Sequence, residues 1–378
     1  MNNWIRQATH RLRPAQSASK TVLPLLAFSG LAFLFLQPHI HAQTSGGQKA
    51  GTVEQIKVHG ASLEGNLEGD PSDRDVFVYL PPSYASQPNR RYPVVYFIHG
   101  YGATASAYWK MMTVPDTANK LMSAGTVREM ILVHPDAHTI YDGSMYSNSP
   151  TTGNWEAYIT HDLVAYIDSH YRTIAGRDSR GLAGHSMGGY GVLRLAMKYP
   201  DVFSSIYAMS SCCLMNNPGA GRGRGGPPAQ AAAAPAATAG PAAPANGANA
   251  AGGRGRGGFG NVTFAEAAAW SPNPMNPPKF YDLPNQDGVV RPEVAAKWVA
   301  NSPLAFVDQY VPNLKTYRAI AMDVGDQDTL AGSNRQMDES LTRLGVAHTF
   351  EVYEGNHTNH VKERFEAKVL PFFSGNLK

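Results

Sequence analysis

Tyr92-Pro93-Val94-Val95-Tyr96-Phe97-Ile98 is a continuous apolar run of β-branched and aromatic residues, the pattern of a strand covered on both faces. Ahead of it, residues 53–58 and 75–80 read as strands around the turn-rich stretch 63–73, and together suggest an antiparallel edge pair. Pro81 and Pro82 stop the second. After His99-Gly100 strands alternate with helices: a helical run after Asp116, a strand at 130–133, then a helix over 155–171. In that helix Trp155, Ile159, Leu163, Tyr166 and His170 share one face. A strand at 180–183, a helix at 190–199 and a strand at 203–209 extend the series, which predicts an α/β fold with a mostly parallel central sheet and helices on both faces.

The alternation breaks at residues 216–260. That stretch opens with Gly221-Arg222-Gly223-Arg224-Gly225-Gly226, closes with Gly253-Arg254-Gly255-Arg256-Gly257-Gly258, and has no periodic apolar positions between. It reads as a disordered low-complexity insertion, since it offers too little to bury. Its four arginines are more economically solubilising than nucleic-acid binding, so no nucleic-acid partner is expected. Order resumes with a short helix at 264–270, helical patterns at 293–299 and 303–310, and a strand at 317–322. A helix at 333–344, a strand at 348–353 and a last helix beyond His357 complete the chain.

Composition changes this picture little, except at the amino end. The formal charge of the 378 residues is +3, but residues 1–42 carry Arg6, Arg11, Arg13 and Lys20 and no acid, leaving 28 basic residues against 29 acidic. A near-neutral body has no global field drawing it to nucleic acid or membrane. The basic opening, the apolar run 22–36 and the small Ala42 read as a secretory signal peptide over 1–42, so a secreted or periplasmic protein is expected. The run is short and contains Pro24 and Gly30, so no stable membrane span is expected after processing. The domain is then 43–378, interrupted by 216–260. Cys212 and Cys213 are the only cysteines, and adjacent cysteines close only a strained ring, which favours two small side chains packed after a strand.

Candidate chemistry starts at Gly184-His185-Ser186-Met187-Gly188, a Gly-x-Ser-x-Gly between an expected strand and an expected helix. Such a nucleophile elbow turns sharply enough to present a serine hydroxyl at the top of the sheet. That hydroxyl needs a base to take its proton, and the base needs a carboxylate to hold its tautomer. Among His348, His357 and His360, His357 begins a loop past the late strand and is favoured, with His360 as runner-up. Asp326 and Asp328 share the loop after strand 317–322, and Asp328 is favoured for its reach. The oxyanion of a tetrahedral intermediate would be met by the backbone N–H of Met187 and that of Tyr101. The Tyr101 and Trp109 side chains could equally cap the core. His357 and His360 lack the glutamate and spacing of a zinc helix, and neither a metal nor a cofactor is expected.

Taken with Tyr79-Leu80-Pro81-Pro82-Ser83-Tyr84, His99-Gly100 and Asn148-Ser149-Pro150-Thr151-Thr152-Gly153-Asn154-Trp155-Glu156, the elbow and the residues after it, Gly189-Tyr190-Gly191, resemble the Putative esterase (esterase D-like) family of the α/β-hydrolases. That family includes feruloyl esterases, antigen 85 mycolyltransferases and S-formylglutathione hydrolases. The resemblance runs from about residue 53 to 373 and omits the insertion. It implies an α/β-hydrolase fold, a nucleophile at Ser186, an acid at Asp328, a base at His357 and oxyanion donors at Tyr101 and Met187. A serine carboxylic ester hydrolase acting on a small-molecule or polysaccharide-linked ester is therefore the leading expectation. Acyl transfer to another alcohol would use the same residues. A non-catalytic surface or carbohydrate-binding protein on this scaffold is the rival from another class, and the oligomeric state stays open.

Overall fold

The computed structural model describes residues 50–215 and 262–378. The expected signal peptide and the expected insertion lie outside the described residues. Strands β1 (Thr52–His59), β2 (Asp73–Leu80), β3 (Val94–Ile98), β4 (Ile131–Pro135), β5 (Arg180–His185), β6 (Ser205–Met209), β7 (Ala319–Gly325) and β8 (Thr349–Tyr353) form one sheet in the order β1-β2-β4-β3-β5-β6-β7-β8. β2 pairs antiparallel with β1 and β4, whereas the pairings from β4 across to β8 are all parallel. The expected edge pair is present.

Side chains alternate along each strand, and here both faces are dry. Val94, Tyr96, Ile98, Leu182, Ile206 and Ile320 enter one core cluster; Val95, Phe97, Leu132, Ala183, Tyr207 and Ala321 enter a second. Helices α1 (Ala105–Met111), α2 (Val114–Ser123), α3 (Leu163–His170), α4 (Met187–Lys198), α5 (Val262–Trp270), α6 (Pro292–Ala300), α7 (Ala331–Arg343) and α8 (Leu370–Asn376) supply the covers. Leu163 and Ile167 of α3, Tyr190 and Leu193 of α4 and Met337 and Leu341 of α7 join the first cluster. Tyr108 and Trp109 of α1, Ala118 of α2 and Phe373 of α8 join the second. Each fully buried side chain of this size stabilises by about 1.5–3 kcal/mol relative to exposure. That double burial is why residues 92–98 show no polar alternation. The result is the α/β-hydrolase architecture.

Three differences from the expected elements have local causes. α1 is not legible in the pattern because it buries only Ala105, Tyr108 and Trp109; it is started by Thr104, whose hydroxyl accepts from the Ala107 N–H at 3.2 Å. β3 begins at Val94, not Tyr92, because Pro93 has no N–H to donate to a ladder. His348 stands just ahead of β8, hydrogen-bonded to Asp338 at 2.9 Å. Cys212 and Cys213 form no disulfide and are half-buried in the turn after β6. Among the described residues no helix is long and apolar enough to cross a membrane.

Because β3 to β8 run parallel, their carboxyl ends share one edge of the sheet. The segments that follow Ile98, His185, Met209, Gly325 and Tyr353 therefore begin there together, where open α/β sheets bind ligands.

Candidate active site

Ser186 sits between β5 and α4 with φ 60° and ψ −114°, a conformation that side-chain-bearing residues rarely adopt. It is held there by its own backbone. The Ser186 N–H donates to Met209 O at 3.0 Å, and its carbonyl accepts from the Tyr190 and Cys212 N–H groups at 3.0 and 3.1 Å. The flanking glycines answer to close approach: a Cβ at Gly184 would fall 2.6 Å from the Gly188 carbonyl, and one at Gly188 would fall 2.0 Å from Ile98 O. The first contact would push α4 off β5 and the second would push it off β3, so the close turn calls for glycine at both places.

Two loops bring partners to the serine. His357 follows β8, and its Nε2 lies 2.9 Å from Ser186 Oγ. Asp328 follows β7, and its Oδ2 lies 2.8 Å from His357 Nδ1. A carboxylate only accepts, so Nδ1 carries the hydrogen and Nε2 is left to accept from the serine hydroxyl. The Asp328 side chain is fully buried whereas that of His357 is 23% exposed. Burial alone would raise the Asp328 pKa. The bond from His357, its charge and the Leu330 N–H on Oδ1 at 2.9 Å outweigh burial and hold the carboxyl below its ordinary range.

The runners-up have other partners. Asp326 Oδ1 accepts from the Gly355 N–H at 2.9 Å, tying the β7 and β8 loops together without touching a histidine. His360 faces Glu363 at 3.8 Å and packs edge-on to Tyr353. Asp323 lies within β7, buried and ion-paired to Arg364 at 2.7 Å. Trp109 packs on Phe77 and His134 in the core.

The segment after β3 passes beside the serine, since a Cβ added at Gly100 would stand 3.2 Å from Ser186 Cβ. That segment is fixed from two directions. The His99 ring accepts from the Ala137 N–H at 2.8 Å and donates to Gly100 O at 2.9 Å, while the Tyr146 hydroxyl donates to His99 O at 3.0 Å. Tyr101 comes next, half-buried, with its ring close to Gly143. Met187 is the first residue of α4, so its N–H has no acceptor within the helix. Two buried side chains beside the site are not singled out by the sequence pattern, Tyr108 and the His185 ring. Tyr108 lies on a helix whose pattern is too short to read, and His185 occupies an unspecified position of the Gly-x-Ser-x-Gly motif.

These observations can be set beside known proteins. A family model described as Putative esterase matches residues 70–370. Esterase Rv1288 of Mycobacterium tuberculosis strain H37Rv is 34% identical over 136 residues, 36% of this chain and 28% of that protein. S-formylglutathione hydrolase of Paracoccus denitrificans is 24% identical over 152 residues, 35% of this chain and 50% of the relative. The matches thus span about a quarter to a half of these relatives' lengths. A solved ferulic acid esterase superposes with a TM-score of 0.61 at 21% identity, over 87% of this chain and 99% of its own, a likeness of fold. With the family match running through the elbow and both partner loops, the chain belongs to the Putative esterase family.

Proposed function

We propose that the protein is an exported serine hydrolase that cleaves carboxylic esters through an acyl-enzyme, with Ser186 as nucleophile, His357 as base and Asp328 as its orienting acid. The observation that carries this reading is the unbroken file Ser186 Oγ, His357 Nε2, His357 Nδ1, Asp328 Oδ2, with separations of 2.9 and 2.8 Å. Ser186 Oγ attacks the ester carbonyl while Nε2 takes its proton; Asp328 stabilises the imidazolium that forms. The negative oxygen of the tetrahedral intermediate is met by the Tyr101 and Met187 N–H groups. Collapse expels the alcohol, which takes its proton from His357. Water then enters, gives a proton to His357, attacks the acyl carbon and releases Ser186 with the acid. No step requires a cofactor or a metal. Family membership and the names of the relatives support an ester as substrate, either small or linked to a polysaccharide. Export is supported by the basic opening and apolar run of residues 1–42.

The test is a hydrolysis screen over p-nitrophenyl esters of rising chain length with aryl and sugar esters, run beside fluorophosphonate labelling. Hydrolysis together with labelling at Ser186 is expected. Absence of both from folded protein would leave the scaffold as a binding module. Product carrying an added alcohol in place of water would instead identify an acyltransferase.

A further inference from the structure

His185 takes part in none of these proton transfers, yet both its ring nitrogens are engaged. Nδ1 lies 2.7 Å from the Tyr108 hydroxyl and Nε2 lies 2.8 Å from the backbone oxygen of His357. A carbonyl only accepts, so Nε2 carries the hydrogen and donates it. Burial, reinforced by the nearby His357, pushes the His185 pKa down to about 3, which leaves the ring with a single hydrogen at neutral pH. Nδ1 is therefore bare and accepts from the Tyr108 hydroxyl. The Tyr108 oxygen in turn packs against the backbone of Gly100, standing where a Cβ at Gly100 would come within 2.4 Å. The direction of every bond follows from the groups present. Two hydrogen bonds thus run from Tyr108, which is seated against Gly100, through His185 to the backbone of His357.

Tyr108 belongs to the second core and His185 is buried beside it, and the His185 ring also packs against the His357 ring with centroids 4.7 Å apart. The need for such a brace comes from topology. Ser186 and Gly100 follow central strands, but His357 follows β8, the last strand of the sheet, none of whose residues is fully buried. A loop on an edge strand moves more easily than the elbow, and a misplacement of about 1 Å can cost on the order of 100-fold in rate.

We propose that Tyr108 and His185 are positioning residues, whose two hydrogen bonds, together with the packing of Tyr108 on Gly100, hold the backbone of His357 against the Gly100 segment and so keep nucleophile, base and oxyanion donors in mutual register. The proposal rests on the reading of Ser186 and His357 given above, and its test separates the two. Four variants are compared with the parent protein and with Ser186→Ala: His185→Leu, which removes both bonds; His185→Gln, whose amide N–H reaches the place of Nε2; His185→Asn, whose oxygen reaches only the place of Nδ1; and Tyr108→Phe. The readouts are kcat and KM on p-nitrophenyl acetate, the rate of phosphonylation by a fluorophosphonate, and Tm.

His185→Leu should lower kcat by about 30- to 100-fold with KM changed less than about twofold, and slow phosphonylation in parallel. His185→Gln should return kcat to within about fivefold of the parent, His185→Asn should not, and Tyr108→Phe should cost about tenfold. If His185→Leu does not fold, the contrast of Gln with Asn and the Tyr108→Phe value decide the matter. Equal kcat for Gln and Asn, or losses that follow Tm alone, would overturn the positioning role and leave the ring as packing. Parent-like kcat in His185→Leu with a dead Ser186→Ala would overturn it too, leaving the catalytic reading intact. An active Ser186→Ala would bring down that reading and this proposal with it.

Discussion

At the scale of single residues the site offers several histidines and aspartates, and hydrogen-bond partners separate their roles. Ser186→Ala and His357→Ala should each lower kcat/KM by on the order of 10⁴-fold or more, because each removes an end of the proton transfer. His360→Ala should cost less than about threefold, since its ring faces Glu363 and Tyr353. Steady-state kinetics on a p-nitrophenyl ester check all three, and the reverse ranking of the histidines would move the base to His360. The aspartates divide in the same way. Asp328→Asn should lower kcat by about 10⁴-fold by favouring the wrong tautomer of His357. Asp326→Asn keeps the oxygen that accepts from Gly355 and should leave kcat within about threefold. Nearly equal losses in the two asparagine variants would show that the pair at 2.8 Å does not orient the base.

At the scale of elements, the decisive contact is α4 against β3. Gly188 lies where any Cβ would meet Ile98 O at 2.0 Å, and backbone cannot step aside as a flexible side chain would. Gly188→Ala should therefore destabilise the protein by about 3 kcal/mol and misplace Ser186 as α4 lifts. Urea unfolding with activity measured in parallel checks this; an unchanged midpoint would mean that the helix has room to shift. The central strands and the longer helices were readable in sequence because double burial writes an apolar run and single burial writes a helical stripe. α1 was not, and with it went Tyr108. A seven-residue helix with three buried side chains leaves too little periodicity to register.

For the whole molecule, acid should loosen the fold from within. His99, His134 and His185 are fully buried, and burial, the first cause in each, holds all three below their ordinary pKa, with His134 and His185 at about 3. They stay neutral in the fold but take up protons in the unfolded chain below about pH 6.5. The unfolded state then binds more protons, so the stability these rings contribute is complete above about pH 6.5 and is lost as pH falls toward 3. For His134 and His185 the loss should be about 2 kcal/mol each between pH 7.5 and 5, with His99 adding to it in the same direction. Asp328, held below its ordinary range, adds a separate loss only below about pH 4. Urea midpoints at pH 7.5 and 5 measure the effect. His134→Phe should remove one histidine's share, since the ring stacks on Phe97 and its Nε2 has no hydrogen-bond partner among the described residues. A pH dependence unchanged in that variant would refute the assignment.

Residues 216–260 are a property of the whole molecule in another sense. Cys213 Sγ and Glu266 Oε1 stand 3.6 Å apart, so the segments flanking the insertion meet. A short Gly-Ser bridge in place of 216–260 should leave Tm within a few degrees, because lengthening a surface loop costs only about 0.6 kcal/mol per doubling. Hydrolysis of acetyl esters should persist while KM for bulky esters changes. A fall in Tm of about ten degrees or more, or loss of acetyl ester hydrolysis, would make the segment part of the fold.

The chain by itself determined the alternation of strands and helices, the elbow at Ser186 and the loops holding the candidate acids and bases, because burial pattern and glycine placement are written locally. Which aspartate meets which histidine is open in the sequence between Asp326 and Asp328, two strands beyond Ser186, and only the parallel register of β5, β6, β7 and β8 decides it. The link from Tyr108 through His185 to the His357 backbone crosses 77 and then 172 positions of sequence. No local pattern encodes such a contact, because it exists only once both cores have packed and brought the ends of the strands to one edge.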